Sequence, residues 1–386
     1  MSTKRKDKNG RVLKTGEYQR TNGTYEFRYQ ANHNGQRCSA YAKSLNELRK
    51  TEQNIERDIL DGIDFSAGDM TVSELVHKYT NLKRGLSQNS VRAYKTTVRI
   101  IDGSCFSSFK IKNVKPSDAK AFYVELHDRG LRRNTIGLCH NILRPAFEMA
   151  VDDDMIRKNP FKFQVSDLLP NDAVLRDALS PKEQEEYLRF IRENGKGSYY
   201  DDIVILLGTG MRVSELYGLT FKDVDLKAKR ISINHQLCRT ADKPYFITSP
   251  KTTSGVRYIP MTDEVYKAFV HTMETRAKPK IEQLIDGYSG FIFLDKDCNP
   301  KVAMNIEGYM RYMRQKYEKK YGHPARPVTP HVLRHTFCTN LQRKGIDVKS
   351  LQYLMGHSNA SVTLDVYTHT DYSAVQDAFK KAVAAV

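Results

Sequence analysis

The period of the apolar pattern changes along this chain, and that change limits the available folds more than any other feature. Thr24-Tyr25-Glu26-Phe27-Arg28-Tyr29-Gln30 alternates polar and apolar residues, as a half-buried strand does. Asn22-Gly23 and Asn34-Gly35 flank it as hairpin-type turns. A further strand is expected over 38–42 and a first one over 11–15. Ser44 and Glu47 have capping-box spacing, so a helix should open there, run to about residue 60 and stop at Asp61-Gly62. Residues 1–65 therefore read as a three-stranded sheet with one helix, too small to be an enzyme alone. Across 71–160 the alternation is lost and helical spacing takes over. Helices are expected from Thr71, from Ser87 to Ile101, from Lys115-Pro116, and from Thr135 to Ala150.

Charge narrows the class. The 386 residues hold 62 Lys and Arg against 45 Asp and Glu, a net charge of +17, which calls for a polyanionic partner. Residues 1–50 carry twelve basic residues against four acidic, and 71–160 sixteen against nine. No apolar run reaches the roughly 18 residues of a membrane span, and nothing apolar follows Met1-Ser2-Thr3-Lys4-Arg5-Lys6 as a secretory signal requires. A cytoplasmic protein is expected. The six cysteines form no close pair, so they read as reduced and mostly buried.

A linker is expected over 166–180, and 181–386 holds the chemistry. Strands are expected at 230–233, 245–248 and 256–260, with Lys251 at the tip of a hairpin between the last two. Thr329-Pro330 opens a helix in which Leu333, Phe337 and Leu341 form the buried stripe. His331, Arg334 and His335 share a neighbouring face there, near the positive N-terminus, which suits an oxyanion. The i, i+4 histidines resemble a zinc helix, but no glutamate stands between them and Arg334 would repel a second cation. A guanidinium, by contrast, meets a phosphate with a planar fork. Arg212 follows a Gly-containing turn, with Glu215 placed to brace it. His357 closes Leu354-Met355-Gly356-His357, and Tyr367 lies ten residues further on.

Thr209-Gly210-Met211-Arg212-Val213-Ser214-Glu215-Leu216, His331-Val332-Leu333-Arg334-His335-Thr336-Phe337, Leu354-Met355-Gly356-His357 and Tyr367-Thr368-His369, in this order, resemble the active site of the tyrosine recombinases, the phage integrase superfamily. The first 65 residues are similar to the arm-binding domain of conjugative-transposon integrases, and 71–165 to the family's helical core-binding domain. The resemblance implies a multidomain, mainly α protein with small β-sheets and a mixed α/β catalytic domain. It implies Arg212, Lys251, His331, Arg334, His357 and Tyr367 as catalytic residues, with Lys243 and Arg257 as the alternatives to Lys251. His335 and His369 would be structural.

The function implied by this resemblance is that of a site-specific recombinase, joining DNA through a 3′-phosphotyrosine and a Holliday junction, with no metal and no cofactor. Double-stranded DNA at core and arm sites, a homotetramer on paired DNA, an excision factor and a DNA-bending host protein are the implied partners. The helix expected over 371–386 would pack against a neighbouring protomer. The rival readings are a chromosome-dimer resolvase, a type IB topoisomerase, a DNA-binding regulator that never cuts, and, for 1–65 alone, a double-stranded RNA-binding module.

Overall fold

The computed structural model describes residues 5–31, 36–60, 67–172, 177–195, 199–240, 243–250 and 252–359. The chain divides into two compact units, Met1–Val174 and Leu175–Val386.

The first unit opens with an antiparallel sheet of β1 (Glu17–Gln19), β2 (Tyr25–Ala31) and β3 (Gln36–Ala42), followed by α1 (Leu45–Leu60). Tyr25 and Phe27 pack on Leu45, Leu48 and Ile55. Ser44 Oγ accepts the Glu47 N–H (3.3 Å). The first strand lies at 17–19 rather than 11–15. Asp7 accepts the N–H groups of Asn9 and Arg11 (2.9 and 2.8 Å), which folds this stretch into a turn bridging Lys6 to Val12. Gly16, at φ +86°, then turns the chain into the sheet. The buried Glu17 carboxylate is tied to Arg49 Nε on α1 (2.9 Å), so the strand is held by charge as much as by apolar contact.

Four helices come next: α2 (Val72–Leu82), α3 (Gln88–Asp102), α4 (Pro116–Asp128) and α5 (Arg133–Asp152). The start of α2 has the reciprocal Thr71–Glu74 cap. Leu75, Val76, Ile101, Phe122 and Phe147 lie fully or almost fully inside a single core, each such side chain contributing about 1.5–3 kcal/mol.

In the second unit α6 (Pro181–Asn194), α7 (Tyr200–Thr209) and α8 (Val213–Gly218) precede the strands β4 (Val224–Asp225), β5 (Arg230–Ile233), β6 (Gln236–Cys238), β7 (Phe246–Thr248) and β8 (Arg257–Pro260). The helices α9 (Asp263–Thr275), α10 (Ala303–Tyr321), α11 (Pro330–Arg343) and α12 (Val348–Met355) complete it. The central helix α7 packs on α9 and α11, with Ile203, Ile205 and Leu206 excluded from solvent.

The strands do not form the expected hairpin. They make two sheets, β4-β5-β8 and β6-β7, so β7 and β8 belong to different sheets. The physical cause lies at His235, which is buried and hydrogen-bonds through Nε2 to the Gly218 carbonyl (2.7 Å). That contact draws the chain out of the first sheet and lays β6 along the end of α8. Gly218 permits it, since a Cβ there would stand 3.0 Å from the Leu237 nitrogen.

The cysteines also depart from expectation. All six are free, but only Cys139 and Cys338 are buried, and Cys105 is exposed. Among the described residues no helix is long and apolar enough to cross a membrane.

Candidate active site

The ends of four helices build the site. The helix α7 stops at Gly210, which takes a left-handed conformation (φ +61°). Two residues later Arg212 caps α8, its N–H donating to Glu215 Oε2 (2.7 Å). Its guanidinium is pinned by the same carboxylate, Nη1 to Oε1 at 2.8 Å, and Nη2 reaches the Gly356 carbonyl at 3.5 Å. Enough of Arg212 stays exposed, 38% of the side chain, to meet a ligand.

The helix α11 starts as its Thr329-Pro330 pair foretells, with Thr329 Oγ1 accepting the Val332 N–H (3.3 Å). One turn in, Arg334 is buried and donates through Nη1 to the Gly210 carbonyl (2.7 Å) and through Nη2 to the Met355 carbonyl. These are orphan carbonyls at the C-terminal ends of α7 and α12, so the cation sits where two helix dipoles are negative. Burial, and after it the charge of Arg212, push the Arg334 guanidinium down to about 9. It remains a cation at neutral pH.

The left-handed Gly356 (φ +61°) ends α12 and turns the chain into His357, which exchanges hydrogen bonds with Gln352 (3.2 and 3.0 Å). Burial, then Arg334, Arg212 and Arg257, lower the His357 imidazole to about 4. It is therefore neutral at pH 7 in the free protein. Because its folded value lies below the ordinary 6.5, the unfolded chain takes up this proton first, and stability falls as pH drops from about 6.5 toward about 4. An NMR titration of the His357 ring should show a midpoint near 4. A midpoint near 6.5 would mean that the three guanidiniums are not gathered around it.

The structure thus brings Arg212, Arg334 and His357 together. His331 occupies the first turn of α11, exposed, on a cleft of about 280 Å3 shared with Glu307, Arg311 and Arg314. His335 is half-buried on the same helix. Lys251, Tyr367, His369 and the segment 371–386 lie outside the described residues. Of the two alternatives to Lys251, Lys243 pairs with Asp286 (3.5 Å) in an exposed loop. Arg257 is fully buried, its Nη1 and Nη2 on the two oxygens of Glu215 (3.2 and 2.9 Å) and its Nε on the Leu354 carbonyl (2.7 Å). Burial alone would raise the Glu215 carboxyl, but hydrogen bonds from Arg257, with the charges of Arg257 and Arg212, hold it below its ordinary value. In the sequence Arg257 stood only as an alternative to a lysine. Its one distinguishing sign was its register in β8, where Arg257 and Ile259 point inward while Tyr258 and Pro260 face out.

Arg212, the α11 arginine and a histidine just past a glycine-ended helix come together as two guanidiniums and an imidazole, the side-chain types suited to a phosphodiester. The chain belongs to the phage integrase family, whose model matches residues 178–374, while the DNA-binding domain of Tn916 integrase matches 1–59. It is a tyrosine site-specific recombinase of the conjugative-transposon integrase type. It is 36% identical to the transposase from transposon Tn916 of Enterococcus faecalis, over 99% of this chain and 97% of the relative. A tyrosine recombinase XerC-like protein of Caldanaerobacter subterraneus is 25% identical over 85% of this chain and 87% of its own length. Among solved structures, the Tn1549 transposon integrase in complex with a circular intermediate DNA has a TM-score of 0.76 and 40% identity, covering 81% of this chain and 99% of that one. The fold extends to a lambda integrase dimer on a core site, with a TM-score of 0.56 at 17% identity, over 94% of this chain and 97% of that one.

Gly210 is the most sensitive backbone position of the site. A Cβ there would stand 2.2 Å from the Phe337 ring, one turn beyond Arg334. Gly210→Ala should cost about 2–4 kcal/mol, from the left-handed conformation plus overpacking. It should also slow DNA cleavage, since Phe337 and Arg334 share a helix. A thermal melt and a cleavage time course check both expectations.

Proposed function

We propose that Tyr367 attacks the scissile phosphate of a core crossover site in double-stranded DNA. Its phenolic oxygen bonds to phosphorus, the bond to the 5′-oxygen breaks, and a 3′-phosphotyrosine remains. A 5′-hydroxyl from the partner duplex then displaces the tyrosine, first giving a Holliday junction and, after the second pair of exchanges, recombinant DNA. Each step forms one ester and breaks one, so no nucleotide is consumed.

Arg212 and Arg334 clamp the non-bridging oxygens, where preorganised charge lowers the barrier most. Neutral His357 hydrogen-bonds to the same oxygens, Lys251 protonates the leaving 5′-oxygen, and His331 helps to hold the phosphate or take the phenolic proton. The observation that carries this reading is the pairing of a half-exposed Arg212 with a buried Arg334 across the ends of α7 and α12.

The division of labour follows the charge. Residues 1–65 hold arm sites, 71–165 grip the core site, 166–180 link them to the catalytic part at 181–386, and 371–386 dock on a neighbouring protomer in a tetramer on paired DNA. An excision factor and a DNA-bending host protein would set the direction of the reaction in the bacterial cytoplasm, on the nucleoid. The basic excess of the first two regions supports DNA contact by both, and the DNA complexes solved for the Tn1549 relative, which begin after its N-terminal region, support DNA contact by the rest.

A suicide duplex nicked beside the element's crossover site, mixed with the protein in EDTA, tests the reading. An SDS-resistant protein–DNA band is expected. Tight binding with no band on any element-end duplex would favour a regulator that never cuts.

A further inference from the structure

Arg257 has no place in the reaction above, yet it is the largest side chain shut away from solvent in the described chain. Its guanidinium spans three segments. It grips both oxygens of Glu215 at the start of α8, the Gly255 carbonyl ahead of β8 (3.1 Å), and the Leu354 carbonyl near the end of α12 (2.7 Å). Gly356 leaves room for it, since a Cβ there would come within 2.9 Å of Nη1. So many donors spent on one buried group require a reason.

Glu215 supplies that reason. Its carboxylate is needed to cap α8 and aim Arg212, but it sits beside the charge that should face the phosphate. Without a second cation it would draw both Arg212 nitrogens to itself. Arg212, Arg257 and Arg334 carry three positive charges against the one of Glu215, leaving two. A phosphodiester brings one negative charge, and a phenol that has shed its proton brings a second as it attacks. The positive charge left on the arginines therefore matches these two, the proton of Lys251 being spent on the leaving 5′-oxygen.

We propose that Arg257 is a positioning residue that occupies Glu215 from behind, so that the charge of Arg212 and its weakly held Nη2 remain available to the scissile phosphate. This rests on the reading of Arg212 and Arg334 as the phosphate clamp. Arg257 touches no DNA, and its effect is confined to the rate of the chemical steps.

The test compares single-turnover cleavage of suicide duplexes carrying either a normal phosphate or an uncharged methylphosphonate at the scissile position. Arg257→Met should slow phosphate cleavage about 100-fold while binding to the intact core duplex is unchanged. On the methylphosphonate, which asks for one positive charge fewer, the defect should shrink at least about 10-fold. The double variant Arg257→Met, Glu215→Gln restores the net charge of two and should regain at least about 10-fold on the phosphate, and it removes the buried unpaired carboxylate if the single variant folds poorly. Equal loss on both substrates, with no recovery in the double variant, would mean that Arg257 only supports the fold. Arg212→Ala, run in parallel, separates the two levels. Failure of the methylphosphonate to relieve Arg212→Ala would remove the clamp reading and the role of Arg257 with it. Relief of Arg212→Ala alone would overturn the Arg257 role and leave the clamp standing.

Discussion

Tyr367→Phe is expected to eliminate the covalent protein–DNA adduct, lowering cleavage by at least about 10⁴-fold, while binding to intact duplex stays within a few-fold of the parent. The change removes one oxygen and keeps the ring, so packing and charge are preserved. Affinity should survive because most of it comes from basic side chains on phosphates, as the excess of Lys and Arg over 1–50 and 71–160 indicates. The chemistry should not, because phenylalanine has nothing to place on phosphorus. An ordinary tyrosine loses its proton only near pH 10, so the nucleophile depends on the cationic pocket, and removing either partner should stop the reaction. SDS gel analysis of nicked duplexes, alongside a mobility-shift titration, measures both quantities. Adducts formed at the parent rate by Tyr367→Phe would place the nucleophile elsewhere.

The second large effect separates function from stability. Arg334→Ala should bind DNA and cleave it about 10³-fold more slowly, as expected for loss of a guanidinium that meets transition-state charge. Its stability is a different matter. Bringing the guanidinium from its ordinary 12.5 down to about 9 corresponds to roughly 4–5 kcal/mol against the charged form. Because neutral pH lies below both values, that cost is present in full and is relieved only as pH rises through about 9. Hydrogen bonds to the Gly210 and Met355 carbonyls return about 1.5–3 kcal/mol each, so the two sides nearly cancel. Arg334→Met, which fills the space without the charge, should therefore leave the melting temperature within a few degrees of the parent or above it, with cleavage still lost. A melting temperature that falls by more than about 10 °C would show that Arg334 is retained for the fold.

Both effects trace to groups that the sequence already singled out, but not equally. Local signals were legible wherever a short stretch decides its own conformation. Thr71 with Glu74 and Thr329 with Pro330 begin helices as their cap chemistry requires. Gly210 and Gly356 end helices in the left-handed conformation that glycine adopts without strain. The order of Arg212, Arg334 and His357 along the chain was legible as well, since each stands at a fixed offset from a helix end. Strand pairing was not. The segments 245–248 and 256–260 were expected to pair, and they separated because a buried histidine at 235 bonds to a carbonyl seventeen residues earlier in the chain. The strand expected over 11–15 likewise gave way to a turn held by Asp7.

The sequence by itself therefore determined where the helices at Ser44, Thr71, Ser87, Lys115 and Thr329 begin, and the residue types offered to a phosphate, because propensity, capping and apolar period act within one or two turns. Tertiary structure alone decided which of those residues meet, that Arg334 is buried against two helix ends, that His357 is neutral, and that Arg257 stands behind Glu215. Those facts depend on desolvation and on Coulombic contact between groups far apart in the chain, up to more than a hundred residues for Arg334 and Gly210. Such energies exist only once the chain has brought the groups together.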